Sequence, residues 1–179
     1  MRGWVAAALL MSACASTPTQ VAGPAPSSYW PLVDGQVMTF VASAAGGKSV
    51  QRIRVEELKG GWYQVGPGQR LRHDADGLFD GKRYLIRRPL RVGATWRAIP
   101  QPGVIERFSV VRVGARCPRE LKVAKPCAAI EARQNVPDGT LLTRWWYGQG
   151  LGLLQVEVYI QQRSGRLNLV SRLSRQDAS

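Results

Sequence analysis

The densest cluster of ionisable groups in the chain is His73-Asp74-Ala75-Asp76-Gly77-Leu78-Phe79-Asp80, which holds the single histidine and three carboxylates. The aspartates could offer oxygens to Ca²⁺. Their order departs from the EF-hand pattern after Asp76, however, and no Glu follows at the distance a bidentate ligand needs. His73 with a carboxylate and a serine is the raw material of a hydrolytic triad, yet no Gly-x-Ser-x-Gly elbow accompanies it. Turn chemistry accounts for the segment, because Asp and Gly favour hairpin corners. Gly66-Pro67-Gly68 reads as a turn between short strands, not as a phosphate loop before a helix. The expectation is therefore a non-enzyme with no metal and no cofactor. Hydrolysis of a cell-wall polymer in a cleft around His73 is the minor catalytic alternative.

Binding chemistry is better represented. Lys plus Arg number 25 against 12 Asp plus Glu, for a net charge of +13, which favours anionic partners. Arg52 and Arg54 share one strand face, Arg83 and Arg87 share another, and Arg144 alternates with apolar neighbours. Such a face could grip the phosphates or carboxylates of lipopolysaccharide, phospholipid or peptidoglycan, where the guanidinium fork fits bidentately. The same arginines serve equally well as a solvated surface. Six tryptophans in 179 residues are the other asset. Trp62, Trp96, Trp145 and Trp146 are either core or the lining of an apolar pocket. Adjacent Trp145 and Trp146 must point to opposite sides of a strand.

The elements that position these residues follow an N-terminal address. Residues 1–13, MRGWVAAALLMSA, carry one early charge, an apolar stretch and then small residues, the layout of a secretory signal too short for a mature span of about 20 residues. Met11-Ser12-Ala13-Cys14 resembles a bacterial lipoprotein lipobox. The resemblance implies cleavage before Cys14 and lipidation of that cysteine, with several acyl chains making a stable anchor. Ala15 after the cysteine implies the outer membrane, with the domain facing the periplasm or the cell surface. The alternative is plain secretion after cleavage at Ala13 or Ala15. Residues 14–28, the lipidated cysteine and a Pro/Ser/Ala segment, read as a flexible stalk reaching at most about 45 Å. Export makes nucleic acid an unsuitable partner despite the charge.

Residues 29–179 form one β domain in this reading. Short alternating runs punctuated by Gly, Pro and Asp predict strands near 36–43, 50–58, 62–65, 69–73, 83–90, 95–99, 104–113, 128–135, 140–147, 153–160 and 166–173. Leu154, Val156, Val158 and Ile160 face one way and Gln155, Glu157, Tyr159 and Gln161 the other, giving one buried and one wet side. Short turns make successive strands antiparallel. The fold class is thus all-β, a meander of about ten strands that curls into a barrel or half-barrel, or splits into a sandwich. In an exported chain Cys117 and Cys127 should pair, closing an 11-residue loop worth roughly 3 kcal/mol. A redox or metal pair is the alternative, though the spacing is not CxxC.

Four elements resemble a broad group of bacterial secreted and lipoprotein β domains: Tyr29-Trp30-Pro31-Leu32-Val33-Asp34-Gly35, Gly77-Leu78-Phe79, Pro89-Leu90-Arg91-Val92-Gly93-Ala94-Thr95-Trp96 and Trp146-Tyr147-Gly148-Gln149-Gly150-Leu151-Gly152-Leu153-Leu154. The likeness spans residues 29–173 and departs at Gln149, where the group commonly has Pro. It implies a fold and a location, and no activity. The expectation is an outer-membrane-anchored binding or interaction module using its basic face on an anionic envelope component or an envelope protein. A carrier of lipid or another apolar ligand, lipocalin-like or lipoprotein-receptor-like in size, anchor, charge and tryptophan content, is the alternative.

Overall fold

The computed structural model describes residues 23–178, so the signal sequence, Cys14 and most of the stalk lie outside the described residues. Twelve strands follow one another. They are β1 (Val37–Ala44), β2 (Gly47–Glu57), β3 (Tyr63–Val65), β4 (Arg70–His73), β5 (Gly77–Phe79) and β6 (Tyr84–Arg87), then β7 (Thr95–Gln101), β8 (Val104–Arg116), β9 (Pro126–Val136), β10 (Gly139–Gly148), β11 (Gly152–Gln162) and β12 (Leu167–Arg175). They build a single antiparallel sheet in the order β6-β5-β4-β3-β2-β1-β12-β11-β10-β9-β8-β7. Every neighbour is also a sequence neighbour except β1 and β12, where the last strand returns beside the first.

The two edge strands, β6 and β7, are consecutive in the chain and meet through side chains instead of a ladder. Trp96 Nε1 donates to the carbonyl oxygen of Tyr84 at 3.0 Å. Beside it, Arg83 donates to Glu106 on β8. The sheet is thereby a nearly closed barrel, which disposes of the long exposed edges of an open sheet this wide.

The strand count exceeds the expected ten or so mainly because residues 77–79 pair with β4 and β6. Three residues are too few for a period-2 signal. Gly77 is required there: its φ is +154° and a Cβ would collide with the carbonyl oxygen of Ile86.

Strands β3 to β6 are 3–4 residues long, whereas β8 to β11 run 10–13. One side of the barrel wall is therefore low. The end of the barrel beside the β10–β11 turn is stoppered by the segment leading into β1. Residues 23–28 pack there although their composition suits a linker: Pro26 is buried and Ser28 O accepts the Gly150 N–H at 2.6 Å. Tyr29 and Trp30 follow into the core at 1% and 2% exposure, and the Tyr29 hydroxyl accepts the Gly114 N–H.

The main core lies inside the barrel, with Trp96, Phe108 and Trp145 as successive stacked rings at 5.1 and 5.9 Å. A smaller apolar cluster lies on the outer face. There Ala129, Trp146 and Leu154 are covered by the Cys117–Cys127 loop, through Leu121 and Val123, and by Ala178. The disulfide thus pins a flap over outward-facing apolar side chains. Both clusters and the bridge lie within residues 23–178.

Candidate functional site

Inward side chains shrink along three adjacent strands. On β1 they run Met38, Phe40, Ala42, Ala44; their register partners on β2 are Ile53, Gln51, Ser49 and Gly47. On β12, Leu173 stands opposite Ala42 and Ser171 opposite Ala44. Large residues fill the stoppered end of the barrel, and small ones leave space towards the β1–β2 turn. A hollow of about 400 Å³ results, lined by Ala42, Ala44, Ser49, Val156, Val158 and Leu173. A second, deeper hollow of about 150 Å³ is walled by Trp30, Phe40, Leu85, Trp145, Val156 and Leu173. The two share Val156 and Leu173 and lie end to end along the inner wall. Their lining is predominantly apolar and the larger volume is within the range of small-ligand sites.

Polar groups reach the deep hollow at Arg83 and Gln69. Arg83 is held by Asp80 at 3.2 Å and by Glu106. Burial alone would push the guanidinium down, but the hydrogen bonds and charges of Glu106 and Asp80 outweigh it and raise its affinity for the proton. The Tyr147 hydroxyl is fully enclosed without a hydrogen-bond partner, and burial drives it well above its ordinary range. A tyrosine so placed is a neutral donor at any physiological pH.

The five arginines expected on a basic face are dispersed. Arg52 and Arg54 are exposed on the outer side of β2, with Arg54 at 3.8 Å from Glu56. Arg83 reaches into the barrel, lining the deep hollow and pairing with Glu106 on β8. Arg87 lies with its guanidinium over the Tyr84 ring, 5.5 Å from its centroid. Arg144 sits between two carboxylates: its Nε and Nη2 donate to one Glu131 oxygen at 2.9 and 2.6 Å, and Nη1 is 3.9 Å from Glu157.

The four tryptophans also divide. Trp145 lines the deep hollow and Trp96 closes the β6–β7 seam. Trp146, on the opposite face from Trp145, belongs to the outer cluster beneath the Arg112 guanidinium. Trp62 lies outside both clusters, against Phe79 and under Arg72. What sequence reasoning overlooked is the set of small inward residues, Ala42, Ala44, Ser49 and Ser171. Their signal was the descending size of alternate residues in 38–44, legible only once the facing strands are known.

The His73 cluster is structural. His73 Nε2 is bonded to the carbonyl oxygen of Trp30 at 2.7 Å, tying β4 to the stopper. Asp74 Oδ1 accepts the N–H groups of Asp76 and Gly77, and Asp80 Oδ1 those of Lys82 and Arg83. These are Asx turns. Among the described residues no group of three or more His, Cys, Asp or Glu side chains is arranged to hold a metal ion.

No protein-family model matches the chain, and no curated protein matches it. Among solved structures it is similar to a candidate lipoprotein of Parabacteroides distasonis ATCC 8503, with a TM-score of 0.39 and 12% identity over 82% of this chain and 96% of that one. So weak a likeness assigns neither ancestry nor function.

Proposed function

We propose that this chain is an outer-membrane-anchored lipoprotein whose barrel holds an apolar ligand, such as a lipid chain, by binding without catalysis. The observation that carries the reading is the descending inward row Met38, Phe40, Ala42, Ala44 with its partners on β2 and β12, which leaves a largely apolar hollow continuous with the deeper one at Trp145. The hollow opens at the β1–β2 turn, where Gly47 and Lys48 form its lip, and its inner wall of Ala42, Val156, Val158 and Leu173 suits an aliphatic chain. Met11-Ser12-Ala13-Cys14 supports the anchor and Ala15 the outer membrane.

Native mass spectrometry tests it. Residues 23–179 are exported without the anchor, purified gently, and offered palmitate and phosphatidylethanolamine. The expected result is a retained or acquired adduct of lipid mass, lost when Ala42→Phe fills the hollow. A clean mass with both lipids, or an adduct indifferent to Ala42→Phe, overturns the proposal.

A further inference from the structure

We infer that the outer face of the β7–β8–β9 corner docks on an anionic bilayer, gripping phosphate-bearing headgroups through Arg97, Arg107 and Arg133 and seating Ile99 and Ile105 in the interface. The three arginines occupy one row of the sheet: Arg97 is the register partner of Arg107, and Arg107 that of Arg133. All three are exposed. Like charges directly opposite one another destabilise a sheet, so two such pairs in succession are a cost without a folding purpose.

The neighbouring row on the same face shows how this sheet treats charge where it serves the fold. Glu131, Arg144, Glu157 and Arg172 follow one another across β9 to β12 in strict alternation, each opposite the next. Contacts run at 2.6, 3.9 and 2.9 Å. In the arginine row, by contrast, Arg97 and Arg107 have no carboxylate within 4 Å among the described residues. Arg133 has one carboxylate, Glu131 at 3.6 Å, which Arg144 already engages, and a hydrogen bond to the Gln161 amide oxygen at 3.4 Å. The charge of this corner is left for something outside the molecule.

Ile99 and Ile105 identify what that is. They stand two residues beyond Arg97 on β7 and two before Arg107 on β8, at 67% and 46% exposure. A nucleic acid or an acidic glycan would satisfy the arginines and leave both isoleucines in water. A bilayer offers phosphates at the depth of the guanidiniums and acyl chains at the depth of the aliphatic tips. The surface is independent of the interior hollow, and an empty barrel would leave it unchanged.

The test is co-sedimentation of residues 23–179, which lack the anchor, with vesicles of phosphatidylethanolamine and phosphatidylglycerol, against vesicles of phosphatidylcholine alone. Binding to the anionic vesicles is expected, falling as salt is raised. Replacing Arg97, Arg107 and Arg133 together with Gln should weaken it roughly a hundredfold, at about one charge's surface attraction per arginine. The pair Ile99→Ser and Ile105→Ser should weaken it with the salt dependence retained. The control removes the same charge elsewhere, as Arg52→Gln, Arg54→Gln and Arg166→Gln, and should lose far less. Three results each overturn the inference: equal loss in the control, equal binding to phosphatidylcholine, and binding to a soluble polyanion such as heparin without binding to vesicles.

Discussion

The indole nitrogen of Trp96 donates to the carbonyl oxygen of Tyr84 at 3.0 Å and, beside the Arg83–Glu106 pair, joins the two edges of a twelve-stranded sheet. Trp96 is itself fixed by stacking on its β8 register partner Phe108 at 5.1 Å with an interplanar angle of 7°, so the donor is aimed at the seam by an apolar contact behind it. Trp96→Phe keeps the stacking and removes the donor. It should cost about 1–2 kcal/mol and speed amide exchange in β6 and β7 more than in β9 to β11. Trp96→Ala should cost about 3–5 kcal/mol. Denaturant melts of the two variants, with hydrogen exchange, separate the contributions.

Glu157 is shared by Arg144, Arg172 and the indole of Trp146, while its own side chain is only 7% exposed. Glu157→Gln keeps the shape and leaves two guanidiniums facing a neutral amide. With both arginines partly open to water, the expected loss is about 1–3 kcal/mol, below that of a fully buried pair. A double-mutant cycle with Arg172→Gln should return a coupling that shrinks in high salt. A coupling of zero would mean that the row sets register without adding stability.

The C-terminal end of the sheet is clamped by Asp177, whose Oδ1 accepts the Thr39 N–H at 3.1 Å and bonds Arg175. Burial would raise this carboxyl, but the hydrogen bonds from Arg175 and Thr39 and the Arg175 charge outweigh it and hold it below its ordinary value of 3.8. A carboxyl lowered in the folded state stabilises fully above its unfolded value and loses that contribution as pH falls through the folded one. The stability gap between the native chain and Asp177→Asn should therefore be constant near neutrality and narrow only below about pH 4. Thermal melts across pH 2–7 check the direction.

Opening the Cys117–Cys127 bridge, as Cys117→Ala with Cys127→Ala, frees an 11-residue loop and should cost roughly 3 kcal/mol. The specific signature is local. The flap uncovers Trp146, now 8% exposed, so its emission should shift to the red before global unfolding. No shift ahead of the main transition would place the flap within the cooperative unit.

Phe40 and Ala42 lie two residues apart on the same inward row and should respond in opposite senses. Phe40→Ala empties a filled end of the barrel and should cost about 3–5 kcal/mol. Ala42→Leu extends into the hollow and should be neutral or stabilising by up to about 2 kcal/mol. A costly Ala42→Leu would mean that the space is smaller than its lining implies.

Much of the fold was legible in the residues. Alternation assigned Val156 and Val158 to the inner face of β11 but misplaced Leu154, because a bulge opposite Trp146 and Tyr147 interrupts the alternation and turns Leu154 to the outer cluster beside Trp146. The same rule required Trp145 and Trp146 to part company, as they do between the inner core and the outer cluster. Two cysteines in an exported chain were expected to pair, and the bridge joins them. One short element escaped: β5 is three residues long and Gly77-Leu78-Phe79 reads equally as a turn, whereas the short β3 and β4 were both expected.

The candidate site was legible only in part. Trp145 was named, but the small residues that create the hollow carry no chemical signature, and absence of bulk becomes meaningful only beside the strands that face it. Charge was the poorest guide. The sequence by itself determined that the chain is an antiparallel β domain with a basic surplus, a single bridge and alternating faces, since periodicity and composition are local properties. Which arginine turns inward to Glu106, which is cancelled between Glu131 and Glu157, and which three stand in one row at one corner were decided by tertiary structure. Register alone sets which side chains stand opposite one another, and a charge has consequences only through its neighbours.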